Sequence, residues 1–484
     1  MTTPLKRVFE VYVFAFAFFF ASRPLSDGDF WFHLKTGEYI LKTGLIPRVE
    51  LFSFTSYGKA WIAHGWLSGT IFYSIYSRIG FNSLIFIFAL LAALAFWITY
   101  KRSGSHPFIR GFAALLGVWA VIPNLGVRPR VFSLLLASLF LALLTNYAQK
   151  GKGRAIWWLV PLMTLWVNLH GGFLIGLALI GITLLGIPLD AWAQWRKLDS
   201  IWPRMRTLTL VLLGCLMAAG LNPYGVRMFA VPLDVLSSPI YQEVVVDWLS
   251  PNFHQREMFA FSLLALLTIS ALALSPKRPR PSQLLLFLAT LYSSLRTQRN
   301  IIIFSLVAVP LFADYFQAWW DSTSFGPRFR ESGASGVMTR PFSIVIFALL
   351  LLPLLPFAIK LNRTIYIPPR QEATHVPMKA VEHLRERQVT GNTFTAPNIW
   401  GGYLIWALPS NPVYIDGRDV YPQQFVREFV EITRGLKDWR EPFTRYGVKN
   451  AIVRKSSFMA RELAESTDWQ KVYEDELAVV FTRL

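Results

Sequence analysis

The sequence predicts a polytopic α-helical membrane protein with about eleven transmembrane helices and a small C-terminal α/β domain. Of its 484 residues, 54% are hydrophobic and only 16% are charged, a balance that a water-soluble core could not accommodate. The apolar residues form runs that can cross about 30 Å of hydrocarbon, with short charged clusters between them. We assign residues 1–361 to the transmembrane domain, with a first outer loop at 24–80, and residues 362–484 to an extracytoplasmic α/β domain.

The predicted transmembrane helices follow one another closely along the chain. The first run follows Lys6 and Arg7 but is followed by no small-residue cleavage site, so we interpret it as a retained span rather than a signal peptide. Residues 66–80 are too short for a comfortable crossing, and we expect a helix along the outer membrane surface, a twelfth span being the alternative. The eleven spans are residues 8–23, 81–100, 108–125, 131–148, 155–169, 171–193, 206–222, 256–275, 283–296, 300–317 and 341–360.

Basic clusters predict the orientation, because cytoplasmic connections carry an excess of Lys and Arg. They occupy every second connection, which puts the N-terminus in the cytoplasm and the C-terminal domain outside a multi-pass protein of the cell inner (plasma) membrane. The net charge of +19 indicates no nucleic-acid partner, because these clusters form no continuous basic face. The single cysteine, Cys215, excludes a disulfide framework. The predicted outer connections are 24–80, 124–130, 168–172, 222–255, 296–300 and all residues after 361.

The first outer loop begins with two carboxylates, Asp27 and Asp29, separated by one glycine. If a helix starts near Asp29 with Asp27 as its cap, Asp29 and His33 share one helix face and could form a base or a metal ligand set. The alternative is a capped amphipathic helix at the membrane surface. The loop also contains His64.

The other outer connections contribute arginines and a histidine against the positive-inside bias. Singly, each is explained as a helix end or a snorkelling side chain. Together, their guanidinium groups suit the phosphate oxygens of an anionic lipid headgroup. Asp247 is a third candidate carboxylate, with an ion pair or a helix cap as the alternative. The basic and imidazole candidates are Arg128, Arg130, His170, Arg296 and Arg299.

The tail after residue 361 alternates between helical and extended patterns. We predict helices at 379–387 and 424–434, and strands at 403–407, 413–416, 449–454 and 478–483. Its strongest local features are the glycines of Trp400-Gly-Gly-Tyr403 and the turn Asp416-Gly-Arg418. Asp416 and Arg418 could meet over a cleft or form an internal salt bridge.

With these residues in view, the chain resembles the GT-C superfamily of membrane glycosyltransferases over most of its length. The resemblance rests on the acidic pair after the first span, the run from Trp31 to Glu38, and the run from His64 to Ser68. The Asn168-Leu-His-Gly and Asn222-Pro-Tyr-Gly turns and the tail glycines add to it. It implies a GT-C-like fold and an enzyme on the non-cytoplasmic face. Such an enzyme transfers a sugar from a polyprenyl-phosphate or polyprenyl-diphosphate donor with inversion.

The resemblance also implies roles for single residues. Asp29 corresponds to the carboxylate that activates the acceptor, with Asp27 in support. Arg128, Arg130, Arg296 and Arg299 are candidates for the departing phosphate, and His33, His64 and His170 for positioning the phosphate or the acceptor. Many relatives carry a second acid in the second outer loop, but residues 124–130 contain none. A two-carboxylate site for Mg²⁺ or Mn²⁺ therefore requires Asp247 or a histidine, and we favour a metal-free site.

Two other functions remain open at the level of sequence. A transporter or flippase for lipid-linked glycans would use the same arginines, but the predicted helix interiors lack the ionisable groups that coupling requires. A non-catalytic glycan-assembly protein would use the tail to bind other proteins. The sugar and the acceptor, whether lipid, glycan or protein, are not specified by these residues.

Overall fold

A computed structural model describes residues 3–25, 27–151, 153–195, 200–244, 246–324 and 376–484. The chain divides into two compact units. The helical unit comprises Met1–Arg23, Ile85–Val226 and Glu243–Arg363, and the mixed unit comprises Pro24–Leu84, Arg227–Gln242 and Thr364–Leu484. The predicted span at 341–360 and the predicted boundary at 361 lie outside the described residues.

Helices account for nearly all regular structure before residue 325. Among the described residues, six helical segments are long and apolar enough to cross a membrane, namely Phe81–Lys101, Pro107–Asn124, Arg130–Lys150, Phe173–Ala193, Arg256–Leu274 and Gln298–Ser322. In chain order the helices are α1 (Thr3–Ala21), α2 (Gly28–Thr43), α3 (Trp66–Ile79), α4 (Phe81–Lys101), α5 (Pro107–Val121), α6 (Arg130–Lys150), α7 (Leu159–Leu169), α8 (Phe173–Ala193), α9 (Trp202–Ala219), α10 (Ala230–Ser237), α11 (Pro239–Val244), α12 (Phe259–Leu274), α13 (Pro281–Arg296) and α14 (Ile301–Ser322).

The remaining predicted spans are shorter or more polar. The apolar part of α1 runs only from Phe9 to Ala21. The segment at 155–169 begins as a 3₁₀ turn and leaves 11 residues in α7. Helix α9 carries Arg204 and Arg206 near its start, and α13 has 16 residues. The count of eleven spans therefore stays a prediction.

Helix α14 forms the centre of the helical unit, with 78% of its most apolar window buried. It packs against α5, α12 and α13. At Gly117 of α5 a Cβ would overlap Val309, so the glycine permits this close approach. Ser305 donates a hydrogen bond to the Gly117 carbonyl at 2.9 Å. Buried α14 is thus fixed by both packing and a polar contact.

The mixed unit contains α2, α3, α10 and the elements of the chain after residue 375. Its helices there are α15 (Met378–Glu386), α16 (Ile399–Ala407), α17 (Gln423–Arg434), α18 (Arg440–Arg445) and α19 (Phe458–Glu465). Its strands are β1 (Thr393–Ala396), β2 (Asn450–Arg454), β3 (Trp469–Glu474) and β4 (Ala478–Arg483). The sheet order is β1-β2-β4-β3, with β1 parallel to β2 and the other pairs antiparallel.

Residues of the first outer loop complete the core of this sheet domain. Phe32 of α2 is buried in one cluster with Trp400, Val413 and Val480. The main chain of Val413 exchanges hydrogen bonds with Phe52 and Phe54 at 3.3 and 3.2 Å. The sequence grouped residues 24–80 with the transmembrane domain, whereas their packing groups them with the C-terminal residues. The loop buries its apolar side chains against the sheet, a contact between distant residues that no local pattern reveals.

Several predicted elements of the tail are confirmed and two are wrong. Helices α15 and α17 and strands β2 and β4 form where expected. Residues 403–407 belong to helix α16, because the glycines before them let this aromatic segment pack closely as a helix. Residues 413–416 form isolated bridges through Val413 with Ser53 and Thr393 rather than a strand. Strands β1 and β3 were not predicted.

Candidate active site

The two acids of the first outer loop lie at the start of α2. Asp27 is its N-cap and accepts a hydrogen bond from the Asp29 amide at 3.2 Å. Asp29 lies in the first turn, where the helix dipole favours negative charge. The predicted helix start and cap are confirmed. The local sequence therefore places two carboxylates together at one helix end.

A turn of the C-terminal segment packs directly on Asp29. This turn, Asp416-Gly417-Arg418, brings the Gly417 main chain so close that a Cβ there would overlap Oδ1 of Asp29. Only glycine fits this contact without displacement of the carboxylate. The turn thus adjoins the candidate catalytic acid in the folded mixed unit.

The two charged residues of this turn form a buried ion triad with Glu50, which we define as Glu50, Asp416 and Arg418. The Arg418 side chain is 1% exposed, and both carboxylates are fully buried. It donates from Nη2 to Glu50 Oε1 at 2.8 Å and from Nε to Asp416 Oδ1 at 2.8 Å. Its Nη1 also pairs with Glu50 Oε2. The guanidinium thereby joins the first outer loop to the C-terminal segment.

Electrostatic and aromatic contacts complete the triad. Burial raises the pKa of Glu50, and the charge of Asp416 adds to this, while Arg418 opposes it. Arg418 lies over the rings of Trp61 at 4.8 Å and Phe52 at 5.1 Å. Tyr421 donates to Asp416 Oδ2 at 2.8 Å, and burial raises its pKa well above the ordinary value. Asp416 and Arg418 form the internal salt bridge that was one of the two sequence interpretations.

The two histidines of the first outer loop differ in environment. His33 is buried against Gly65, where a Cβ would lie 2.7 Å from its ring. Burial, with His64 and Arg418 nearby, lowers the pKa of His33 to about 3, so the ring is neutral. His64 is more exposed, and its Nδ1 lies 3.9 Å from Oδ2 of Asp419. His64 is therefore the better placed of the two to meet a ligand.

In the helical unit, the structure gathers three of the predicted arginines around Asp247. Arg130 begins α6, donates to Asn124 Oδ1 at 2.9 Å and pairs with the Asp247 carboxylate. Burial alone would raise the pKa of Asp247, but Arg130, Arg128 and Arg299 together lower it to about 2. Asp247 is thus an ionised partner of the arginine cluster, which we define as Arg128, Arg130 and Arg299.

Two other predicted residues lie at helix ends of the same unit. His170 follows α7, and its Nδ1 accepts from the Gly172 amide at 3.1 Å and lies 2.7 Å from the Ser133 hydroxyl. Trp166 donates to the same hydroxyl at 2.7 Å. These contacts hold the His170 ring at the end of α7. Arg296 ends α13 and is exposed.

Sequence reasoning missed Glu50, which the structure identifies as a central residue of the mixed unit. Its signal was weak, because Glu50 stands as a single acid among apolar and β-branched neighbours. In the described part of the chain, no three His, Cys, Asp or Glu side chains are grouped as metal ligands.

Comparison with solved structures identifies the fold. ArnT from Cupriavidus metallidurans in the apo state matches with a TM-score of 0.56 and 15% identity over 96% of both chains. Its complex with undecaprenyl phosphate matches with a TM-score of 0.51 and 14% identity, over 100% of this chain and 99% of that one. The Archaeoglobus fulgidus oligosaccharyltransferase, tethered to an acceptor peptide containing the NVT sequon, matches with a TM-score of 0.55 and 13% identity. That match covers 94% of this chain and 70% of the oligosaccharyltransferase.

Both proteins are membrane glycosyltransferases of the GT-C superfamily. The chain has the GT-C fold. No protein-family model matches it, and no curated protein matches its sequence. The GT-C fold accounts for the apolar helices followed by a small C-terminal sheet domain, as the sequence resemblance implied.

Proposed function

We propose that this GT-C protein transfers a sugar from a polyprenyl-phosphate or polyprenyl-diphosphate donor to an acceptor on the non-cytoplasmic face of the membrane. The observation that carries the proposal is the acidic pair at the start of α2 in a chain with this fold. The ArnT complex contains undecaprenyl phosphate, and the oligosaccharyltransferase complex contains an acceptor peptide, so both ligand classes occur with this fold.

Asp29 is the proposed general base. An acceptor hydroxyl or amide attacks the anomeric carbon of the donor, and its proton passes to the Asp29 carboxylate. The new glycosidic bond forms as the bond from C1 to the phosphate oxygen breaks, so the anomeric configuration inverts. Asp27 supports this role because its cap hydrogen bond holds the Asp29 amide. His64, beside Asp419, is proposed to help position a ligand.

The arginine cluster is proposed to stabilise the departing phosphate. The lipid phosphate takes the electron pair of the broken bond and gains negative charge, which nearby guanidinium groups stabilise. The cluster places three guanidinium groups around Asp247, and positive charge at this position would stabilise the departing anion. We propose that these guanidinium groups, rather than Mg²⁺ or Mn²⁺, supply the positive charge.

The first experiment measures sugar transfer or release from a radiolabelled polyprenyl-phosphate hexose by the purified protein in liposomes. We expect Asp29→Asn to reduce turnover by at least ~100-fold, since a positioned base contributes about that factor. Binding of the labelled lipid should persist in this variant. Arg130→Gln should also lower turnover, because it removes positive charge from the leaving phosphate.

Asp27→Asn is the matched control, because asparagine caps helices nearly as well as aspartate. It should retain substantial turnover. A chelator added to wild type decides the metal question. Equal activity of wild type and Asp29→Asn would contradict the assignment of the base. If wild type and Asp29→Asn both transport the lipid and neither transfers the sugar, the protein is a flippase instead.

A further inference from the structure

We propose that the Asp416–Arg418 turn is a positioning device that holds the Asp29 carboxylate in its catalytic orientation. This inference rests on the proposed function, in which Asp29 is the base. It assigns a role in the reaction to the C-terminal segment, whose Gly417 main chain and Arg418 side chain act through Asp29 and touch no reacting atom.

The first argument is the direct contact. A Cβ at position 417 would overlap Oδ1 of Asp29 and lie 3.1 Å from its Cγ. A carboxylate packed so closely on a main chain cannot rotate toward it, so the turn limits the orientations that Asp29 can adopt. The contact involves the carboxylate itself rather than the main chain of α2.

The second argument is the rigidity of the turn. Asp416 Oδ1 accepts from the Arg418 amide at 2.9 Å and from Arg418 Nε at 2.8 Å, so it closes the turn across Gly417. Arg418 is in turn held by Glu50 through two hydrogen bonds. These charges are buried, where loss of one partner is strongly destabilising. The turn therefore cannot shift without breaking the ion triad.

The third argument is that the residue before Asp29 is fixed by the same segment. A Cβ at Gly402 of α16 would overlap the carbonyl oxygen of Gly28. A Cβ at Gly28 would lie 2.7 Å from Ile399, at the start of the same helix. The C-terminal segment thus fixes the main chain before Asp29 as well as its carboxylate. Gly402 and Gly417 of the C-terminal segment therefore both pack against the start of α2.

Such precision matters in a displacement at the anomeric carbon. The base must lie within hydrogen-bond distance of the acceptor proton, and a displacement of about 1 Å can cost on the order of 100-fold in rate. A turn that fixes the Asp29 carboxylate prevents this loss of rate. The effect should appear in kcat rather than in KM, because substrate binding does not depend on the orientation of the base.

The test compares Gly417→Ala with wild type. The added methyl group displaces the Asp29 carboxylate, so kcat should fall by ~10- to 100-fold with little change in KM. The acid limb of the pH–rate profile should move, because the carboxylate has a new environment. Gly104→Ala is the control for a glycine-to-alanine change as such, since a Cβ at Gly104 meets no atom within 4 Å. It should leave kcat unchanged.

A second readout does not require turnover. Carbodiimide-driven coupling of glycine ethyl ester to Asp29, measured by peptide mass spectrometry, should be several-fold faster in Gly417→Ala, because the displaced carboxylate becomes more accessible. Equal labelling of Asp29 in the two proteins overturns the inference, as does an unchanged kcat. Inactive wild type with faster labelling in Gly417→Ala contradicts the proposed function and leaves the positioning contact supported.

Discussion

Asp247 shows how a candidate acid is given a role by its neighbours. Burial would raise the pKa of this carboxylate, but its pairing with Arg130, together with the charges of Arg128 and Arg299, lowers the pKa to about 2. Arg299 also lies over the Trp248 ring at 4.2 Å, which holds its guanidinium in place. An acid with these partners is poorly suited to accept a proton at neutral pH. The geometry favours the ion-pair interpretation of Asp247.

His33 predicts a pH dependence of stability. Its pKa is lowered from an ordinary 6.5 to about 3, so between these values the unfolded chain binds a proton that the folded chain does not. Its contribution to stability is present above pH 6.5 and is lost as the pH falls toward 3. Between pH 6.5 and 5, the contribution should decrease by about 2 kcal/mol.

The measurement compares thermal unfolding of wild type and His33→Gln at pH 7 and pH 5. Glutamine does not titrate, so the variant should lose less stability than wild type on acidification. The same decrease in both proteins would show that His33 is protonated in the folded state at pH 5.

Helices α2 and α3 pack through glycines, which brings their main chains close together. A Cβ at Gly37 would overlap the Gly69 carbonyl, and one at Gly69 would lie 2.5 Å from the His33 carbonyl. These atoms belong to the main chain and cannot move aside as a flexible side chain can. Helix α3 therefore supports α2, which carries Asp29, in addition to the support from the C-terminal segment.

Gly69→Ala should destabilise this pair. Overpacking typically costs 1–3 kcal/mol, while alanine in a helix gains up to about 1 kcal/mol over glycine, so a net loss of about 1–2 kcal/mol is expected. The thermal unfolding midpoint measures it. Gly181→Ala in α8 is the matched control, because its Cβ meets no atom within 4 Å and only the favourable helix propensity remains. A midpoint as high as that of the control would show that α2 and α3 can separate without cost.

The division into two units determines which segments need each other to fold. The first outer loop contributes Phe32 to the sheet domain's core and Glu50 to the ion triad. Without residues 376–484, Phe32 loses its apolar partners and Glu50 loses the guanidinium that offsets its burial. Burying an unpaired charge is strongly unfavourable. The loop is therefore expected to depend on the C-terminal segment for its structure.

A chain truncated before residue 376 should lose protection across residues 24–84. Limited proteolysis with mass spectrometric mapping should find new cleavage sites there, while the apolar helices of the helical unit stay protected. Co-expression of residues 376–484 as a separate chain is the control, and it should restore protection. An equally protected loop in the truncated chain would mean that residues 24–84 fold without the sheet domain.

The amino-acid sequence alone determined the membrane class, the start of α2 with its Asp27 cap, and helices α15 and α17, because these depend on composition and local periodicity. The acidic pair and the arginines were visible for the same reason. Only the tertiary structure decided that Glu50 meets Arg418, that Gly417 packs on Asp29, and that residues 403–407 form a helix. These features depend on close approach between segments hundreds of residues apart, which local patterns do not encode.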